Sequence, residues 1–143
     1  MKRLSLLSLL IALVVGPGSA EATCFAEAAA RYQVSERLLR SIQVTENTSG
    51  KADAVNTSNA DGSKDIGLMQ INSWWLPKLS GYGIGEAELL NPCVSINVAA
   101  WILANNIKTY GHTWKAVGAY NSPYVESQRI YIKKVMNNYG SSL

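Results

Sequence analysis

Glu46 is the first residue whose type and position suggest chemistry, since it ends a helix that we predict from Leu38 onward. It lies four residues after Ile42 and eight after Leu38, so the three side chains share one helical face. Burial on an apolar face raises the pKa of a carboxyl group when no cation neutralises it, which suits proton donation near neutral pH. The residues one turn earlier, Ile42 and Gln43, supply no positive charge. Spacing alone leaves open the alternative that Glu46 turns into solvent.

The elements that must position Glu46 are predicted to be mostly helices. The alanine-rich segment from Cys24 to Tyr32 favours a first helix, and Gly111 is typical of the end of a later one. Capping and proline signals mark further helix starts at Ser35, Asn91-Pro92, Thr113 and Ser122-Pro123. We expect one or two short helices between Ile66 and Leu79. The polar segment from Asn47 to Lys64 predicts a loop or small irregular hairpin, and loops of this length in small domains are usually functional.

The N-terminus has the pattern of a secretory signal peptide rather than of a domain. Lys2 and Arg3 precede an apolar run, and Ala20-Glu21-Ala22 is a typical cleavage site. We therefore predict a signal peptide over residues 1–22 and one mature domain over 23–143. The apolar run is too short for an ordinary membrane span, so we expect no stable span after cleavage. A chain of 143 residues with 48% hydrophobic residues has room for one sizeable core.

The net charge and the cysteine content limit which kinds of partner and cofactor the protein could bind. Cleavage after Ala22 would leave 11 basic and 9 acidic residues, a net charge of +2, which is too mild to indicate nucleic-acid binding. In an exported protein the pair Cys24 and Cys93 indicates one disulfide that ties the first helix to a central one. Two cysteines and the sole His112 do not make a metal cage. We expect neither a metal nor another cofactor.

Four motifs in order carry a resemblance that covers essentially the whole mature chain. They are the helix ending in Glu46, the segment Asp65-Ile66-Gly67-Leu68-Met69-Gln70-Ile71-Asn72-Ser73, the triplet Ala119-Tyr120-Asn121, and Tyr131 ahead of Lys133-Lys134. This set resembles the lysozyme-like lytic transglycosylases. The short length, the cysteine pair and Asn91-Pro92-Cys93 are similar to the small specialised enzymes that accompany type III secretion, type IV pilus and conjugation machines.

The resemblance implies a mainly α, lysozyme-like fold and a periplasmic enzyme that acts on peptidoglycan. Glu46 would serve as catalytic acid and then base in cleaving the bond between N-acetylmuramic acid and N-acetylglucosamine. The muramoyl C6 hydroxyl, rather than water, would trap the sugar and leave a 1,6-anhydro end. The substrate-binding residues would be Gly67, Met69, Gln70, Tyr120, Asn121 and Tyr131. Each also has a simpler explanation, such as a core position for Met69 and Tyr120 or a helix cap for Gln70 and Asn121.

Asp65 has two competing interpretations. The run from Asn59 to Gly67 also resembles the strand segment of animal-type lysozymes that carries their second carboxylate. On that interpretation Asp65 is catalytic and either stabilises a positively charged sugar or acts as nucleophile. Alternatively, Asp65 caps a helix that begins near Ile66.

Two departures from the family pattern and three tryptophans also bear on the site. Asn47 stands where family members commonly have Ser, which puts the fine positioning of Glu46 in doubt, and Ser122-Pro123 replaces the usual Ala-Gly. Trp74, Trp75 and Trp114 could form the floor of a sugar groove or belong to the core.

Two other functions stay open: a hydrolytic lysozyme using Glu46 and Asp65, and a non-catalytic glycan-binding component of a secretion apparatus.

Overall fold

The computed structural model describes residues 18–141, which form seven α-helices and a small three-stranded sheet. The helices are α1 (Gly18–Tyr32), α2 (Glu36–Glu46), α3 (Leu76–Leu79), α4 (Glu86–Leu89), α5 (Pro92–Tyr110), α6 (Trp114–Asn121) and α7 (Val125–Ser141). The strands are β1 (Val55–Asn56), β2 (Asp65–Ile66) and β3 (Ile71–Asn72), and 3₁₀ turns at Ser73–Trp75 and Ser80–Tyr82 flank α3. The predicted mainly helical fold is confirmed.

Helix α5 lies at the centre of the core, because it is apolar around much of its circumference. Ile96, Ala99 and Leu103 are fully buried, and α1, α2, α4 and α6 all pack against this helix. Asn91 begins α5 as predicted, since its Oδ1 accepts hydrogen bonds from the backbone N–H of Cys93 and Val94. Gly111 ends it. The long central helix thus provides a rigid support for the shorter elements around it.

Helix α2 carries Glu46 at its last position. Ser35 caps its start as predicted, because its Oγ accepts a hydrogen bond of 3.2 Å from the backbone N–H of Leu38. Leu39 and Ile42 are fully buried, so one face of α2 faces the core. Asn47 ends the helix with its backbone N–H bonded to the carbonyl of Gln43.

The polar segment after α2 folds into the start of a small antiparallel sheet. Strand β2 lies between β1 and β3, with Asp65 opposite Asn56 on one side and Asn72 on the other. Ile66 and Ile71 pair across β2 and β3, and both are buried. The prediction of a loop or small hairpin is confirmed, and the sheet extends it beyond Lys64.

The prediction of helices between Ile66 and Leu79 is wrong in its first half. Ile66 and Ile71 belong to strands joined by a tight turn, and the helical segment begins only at Ser73. Gly67 and Gln70 both have positive φ angles, of 77° and 50°, which a continuous right-handed helix does not allow. Apolar runs this short do not distinguish a strand from a helix.

Two helix boundaries also differ from the predicted ones. Helix α1 begins at Gly18 rather than near Cys24, and α7 begins at Val125 rather than at Ser122-Pro123. Ser122 still shapes the approach to α7, since its Oγ accepts a hydrogen bond of 3.1 Å from the backbone N–H of Tyr124.

The predicted disulfide is present, and it joins Cys24 of α1 to Cys93 of α5. In residues 18–141 no helix combines the length and the apolar character that crossing a bilayer requires. The signal peptide predicted over residues 1–22 lies outside the described residues as far as position 17, and its last five residues belong to α1.

Candidate active site

Glu46 lies where the end of α2 meets the sheet and the last two helices. Burial raises the pKa of its carboxyl group from the ordinary value of 4.5 to about 7. A hydrogen bond from Tyr131 lowers this pKa, whereas the nearby charge of Asp65 raises it. Lys134 lowers it by a smaller amount. The carboxyl group lies mostly among protein atoms, so the alternative that it turns into solvent is wrong. An acid that keeps its proton near neutrality can protonate a leaving group.

Tyr131 approaches Glu46 from α7 and is almost completely buried. Its Oη meets the usual distance and angle limits of a hydrogen bond with no residue in 18–141, but it lies near enough to the Glu46 carboxyl group for its O–H to act on that group as a donor. Burial and the neighbouring Glu46 raise the pKa of the phenol well above its usual range. Tyr131 therefore keeps its proton, and among residues 18–141 no other acceptor competes with Glu46 for it.

Asp65 lies in β2, where three asparagine side chains donate hydrogen bonds to its carboxylate. Asn56 and Asn59 donate to Oδ2 at 3.2 and 2.9 Å, and Asn72 donates to Oδ1 at 2.9 Å. Amide N–H groups match the acceptor-only character of an ionised carboxylate. The hypothesis that Asp65 caps a helix near Ile66 is wrong, because no helix begins there.

Two of the three asparagines are themselves held in place, which sequence reasoning missed. Asn59 Nδ2 and Asn72 Nδ2 both donate to Ser63 Oγ, at 3.1 and 2.9 Å. Asn72 Oδ1 also accepts from the backbone N–H of Trp74 at 2.9 Å. The available signal is the number of asparagines near Asp65: Asn56 and Asn59 belong to the polar segment that predicts a loop, and Asn72 belongs to the motif that begins at Asp65. Their convergence depends on strand pairing, and the sequence does not specify that pairing.

Gly67 and Met69 shape the site from within the core. Gly67 has a φ of 77°, and a Cβ there would lie 2.1 Å from the backbone oxygen of Leu89, so the close approach it allows is that of protein backbone. Met69 is fully buried, which matches the simpler explanation of a core position. Its backbone N–H donates to Ser95 Oγ at 3.0 Å.

Gln70 and Asn47 stabilise the loops on either side of Glu46. Gln70 Nε2 donates to the carbonyls of Gly67 and Ala54, at 2.9 and 3.2 Å. Asn47, which stands where the family commonly has Ser, is buried and donates through Nδ2 to the carbonyl of Lys51 at 2.9 Å. Both amide nitrogens therefore hold local backbone in this structure.

Tyr120 and Asn121 lie at the end of α6. Tyr120 donates its hydroxyl hydrogen to the carbonyl of Met69 at 3.0 Å. Burial raises the pKa of this phenol well above its usual value, and the charges of Glu46 and Asp65 raise it further. Asn121 is exposed. Close packing of α6 on α7 depends on Gly118, because a Cβ there would lie 2.8 Å from Gln128 Cβ.

The tryptophans differ in exposure. Trp74 has 74% of its surface exposed and contacts the half-buried Trp75 edge to face, with ring centroids 5.0 Å apart. Trp114 is also exposed, but it lies beside Tyr139, with ring centroids 6.4 Å apart. Trp74 is therefore the tryptophan best placed to meet a ligand near Asn72.

Comparison with known proteins identifies the family to which the chain belongs. The Transglycosylase SLT domain model matches residues 23–137. Invasion protein IagB of Salmonella typhimurium is 41% identical over 126 residues, which cover 85% of this chain and 78% of the relative. Protein IpgF of Shigella flexneri is 38% identical over 128 residues, covering 86% and 83%. A peptidoglycan-binding-like protein of Escherichia coli O157:H7 is 32% identical over 134 residues, covering 86% and 80%. The resemblance inferred from the four motifs is confirmed, and the chain belongs to the transglycosylase SLT domain family.

Proposed function

We propose that the protein cleaves the β-1,4 bond between N-acetylmuramic acid and N-acetylglucosamine in peptidoglycan, forming 1,6-anhydromuramic ends. The observation that carries this proposal is the Glu46 carboxyl group, whose pKa burial raises to about 7. In the first step Glu46 gives its proton to the glycosidic oxygen, and the bond from that oxygen to the muramoyl C1 breaks. The charge that develops at C1 is positive, and the carboxylate of Asp65 stabilises it.

The second step uses the same carboxyl group as a base. Glu46, now ionised, takes the proton from the muramoyl C6 hydroxyl as that oxygen bonds to C1. Tyr131 stabilises the ionised Glu46 between the two steps by donating a hydrogen bond, and this is supported by its lowering of the Glu46 pKa. One acid therefore suffices, because the nucleophile belongs to the substrate.

The proposed substrate-binding residues lie near Glu46 and Asp65. We propose that the exposed amide of Asn121 and the free face of Trp74 bind sugar rings or their N-acetyl groups. Tyr120 forms one wall, and it is fixed there by its hydrogen bond to Met69. Gly67, Met69 and Gln70 contribute through the backbone and the loop that they hold in shape.

A hydrolytic lysozyme is the second candidate, and the position of Asp65 favours it. A second carboxylate close enough to Glu46 to raise its pKa could direct water, or form a bond to C1, as in glycosidases with paired acids. The two reactions differ by one water in the product, so mass measurement separates them.

The deciding experiment is digestion of purified peptidoglycan by the wild-type protein beside Glu46→Gln. We expect soluble fragments with anhydro ends, one water lighter than reducing ends, and a rate loss of about a thousandfold in Glu46→Gln. Reducing ends would replace the transglycosylase by the hydrolase. Wall binding without cleavage by either protein would contradict both and would support a glycan-binding component of a secretion apparatus.

We also propose where and with what the enzyme works. A predicted signal peptide over residues 1–22, a mature domain over 23–143 and the disulfide between Cys24 and Cys93 support a periplasmic location. The relatives include an invasion protein, which supports local opening of the wall for a secretion, pilus or conjugation apparatus.

A further inference from the structure

A cavity of about 420 Å³ opens between α1, α5 and the segment that follows α3, and none of the residues around Glu46 lines it. Its walls are largely apolar, with the aliphatic side chains of Leu79 and Ile84 on one side and of Val94 and Val98 of α5 on the other. A space of this size is in the range of ligand-binding cavities, roughly 300–1,000 Å³. It belongs to no part of the mechanism described above.

Aromatic side chains surround the mouth of this cavity, which we call the α1–α5 pocket. Tyr82 has 72% of its surface exposed, and Trp101 lines the pocket beside Tyr32. Tyr82 therefore offers aromatic surface that a ligand in this pocket could cover. Tyrosine, tryptophan and arginine are also the residues most enriched where one protein binds another.

Two cations border the pocket, and neither is neutralised. Arg31 Nη1 donates to Asn97 Oδ1 at 3.1 Å, and Lys78 Nζ lies 5.0 Å from the centroid of the Trp101 ring. Neither side chain forms an ion pair with any residue in 18–141. No acidic side chain is among the described residues that line the pocket. The mouth is therefore positive, and an anionic ligand would complement it.

We propose that the α1–α5 pocket docks an acidic, amphipathic segment of a partner protein. Apolar side chains of that segment would fill the space between Leu79 and Val98, and a carboxylate would pair with Arg31, which Asn97 already holds in position. A glycan strand fits less well, because its hydroxyl groups need many hydrogen bonds and Arg31 and Asn97 are the only polar or charged side chains besides the tyrosines among the described residues of the lining.

Peptide selection tests this proposal. A random-sequence peptide display library is selected on the full chain, and the affinities of the selected peptides are measured by calorimetry. We expect sequences with acidic residues beside apolar residues at helical spacing. Tyr82→Ala and Arg31→Ala should each weaken binding at least about tenfold. Matched controls are Tyr124→Ala, which removes a side chain that is 74% exposed on another part of the surface, and Arg129→Ala on α7; both should bind nearly as the wild type does.

Three results would overturn the proposal. These are selected peptides that bind Arg31→Ala as tightly as the wild type, selected peptides without an acidic preference, and a failure to select any pocket-dependent peptide. A fourth arm titrates N-acetylglucosamine oligomers while the Trp101 indole signal is followed by NMR. A shift there with oligomers but not with peptides would assign the pocket to glycan instead. Peptidoglycan cleavage by Arg31→Ala is measured in parallel and should be unchanged, so failure of the docking proposal and failure of the catalytic proposal can be told apart.

Discussion

Glu46 and Asp65 are carboxyl groups in one site, but they lie in opposite surroundings. Glu46 ends a helix whose side chains Leu39 and Ile42 belong to the core. Among the groups that set its pKa, Tyr131 is the one donor. Asp65 lies in a sheet with three amide donors directed at its two oxygens. Such an arrangement separates the roles of the two acids: the poorly solvated group keeps a proton to give away, and the group with several donors remains an acceptor.

The largest expected difference between the two acids is their effect on the free energy of unfolding. The pKa of Glu46 is raised in the folded protein from 4.5 to about 7, so the unfolded chain loses this proton at lower pH than the folded one. Stability from this group is therefore complete below pH 4.5 and is lost as pH rises through about 7. Glu46→Gln cannot ionise at this position. We therefore expect its free energy of unfolding to exceed that of the wild type by about 3 kcal/mol at pH 8 and to differ little from it at pH 4.

Denaturant titrations at both pH values provide this measurement. Glu27→Gln on the exposed face of α1 is the matched control and should show no comparable gain. Asp65→Asn should instead lose stability at pH 8, because an amide cannot accept all three asparagine hydrogen bonds. A Glu46→Gln variant no more stable than the wild type at pH 8 would contradict the unfavourable burial of an ionised Glu46.

The catalytic contribution of Asp65 is tested by removing the charge of its carboxylate. If that carboxylate stabilises the developing positive sugar, Asp65→Asn should lower the rate of peptidoglycan cleavage about a hundredfold, equal to about 2.7 kcal/mol of barrier. Initial rates of fragment release measure this effect, with circular dichroism to verify the fold. Asp53→Asn, in the exposed loop before β1, is the control. Activity close to that of the wild type would limit Asp65 to a structural role.

The smallest expected effect is that of Tyr131→Phe. Tyr131→Phe removes the neighbouring O–H group that lowers the Glu46 pKa, so the alkaline limb of the pH–rate profile should move to higher pH, with a rate loss of about tenfold. The profile of kcat/KM reports this limb. Tyr139→Phe on the same helix is the matched control. A limb that stays in place would show that Tyr131 does not donate to Glu46.

The two acids also differ in how far sequence could predict them. The apolar spacing of α2 and the Ser35 cap predicted the position of Glu46, because both are local properties of one helix. Asp65 was left undecided between two roles, because its surroundings come from strands paired across a turn with two positive φ angles. Asn56 and Asn59 were missed for the same reason: they reach Asp65 only once β1 pairs with β2. Short strands carry little periodic signal, and their pairing is set by tertiary packing.

The disulfide between Cys24 and Cys93, which are 69 residues apart in sequence, closes a loop of chain that contains both Glu46 and Asp65. Tyr120 and Tyr131 lie outside this loop. Cross-linking a loop of this length stabilises a fold by about 4 kcal/mol in the chain-entropy model. A freshly made copy with free thiols would therefore hold Glu46 and Asp65 less firmly than a copy that has met an oxidant. On the proposed periplasmic location, oxidation of the two thiols would act as a maturation step that stabilises the candidate site only after export.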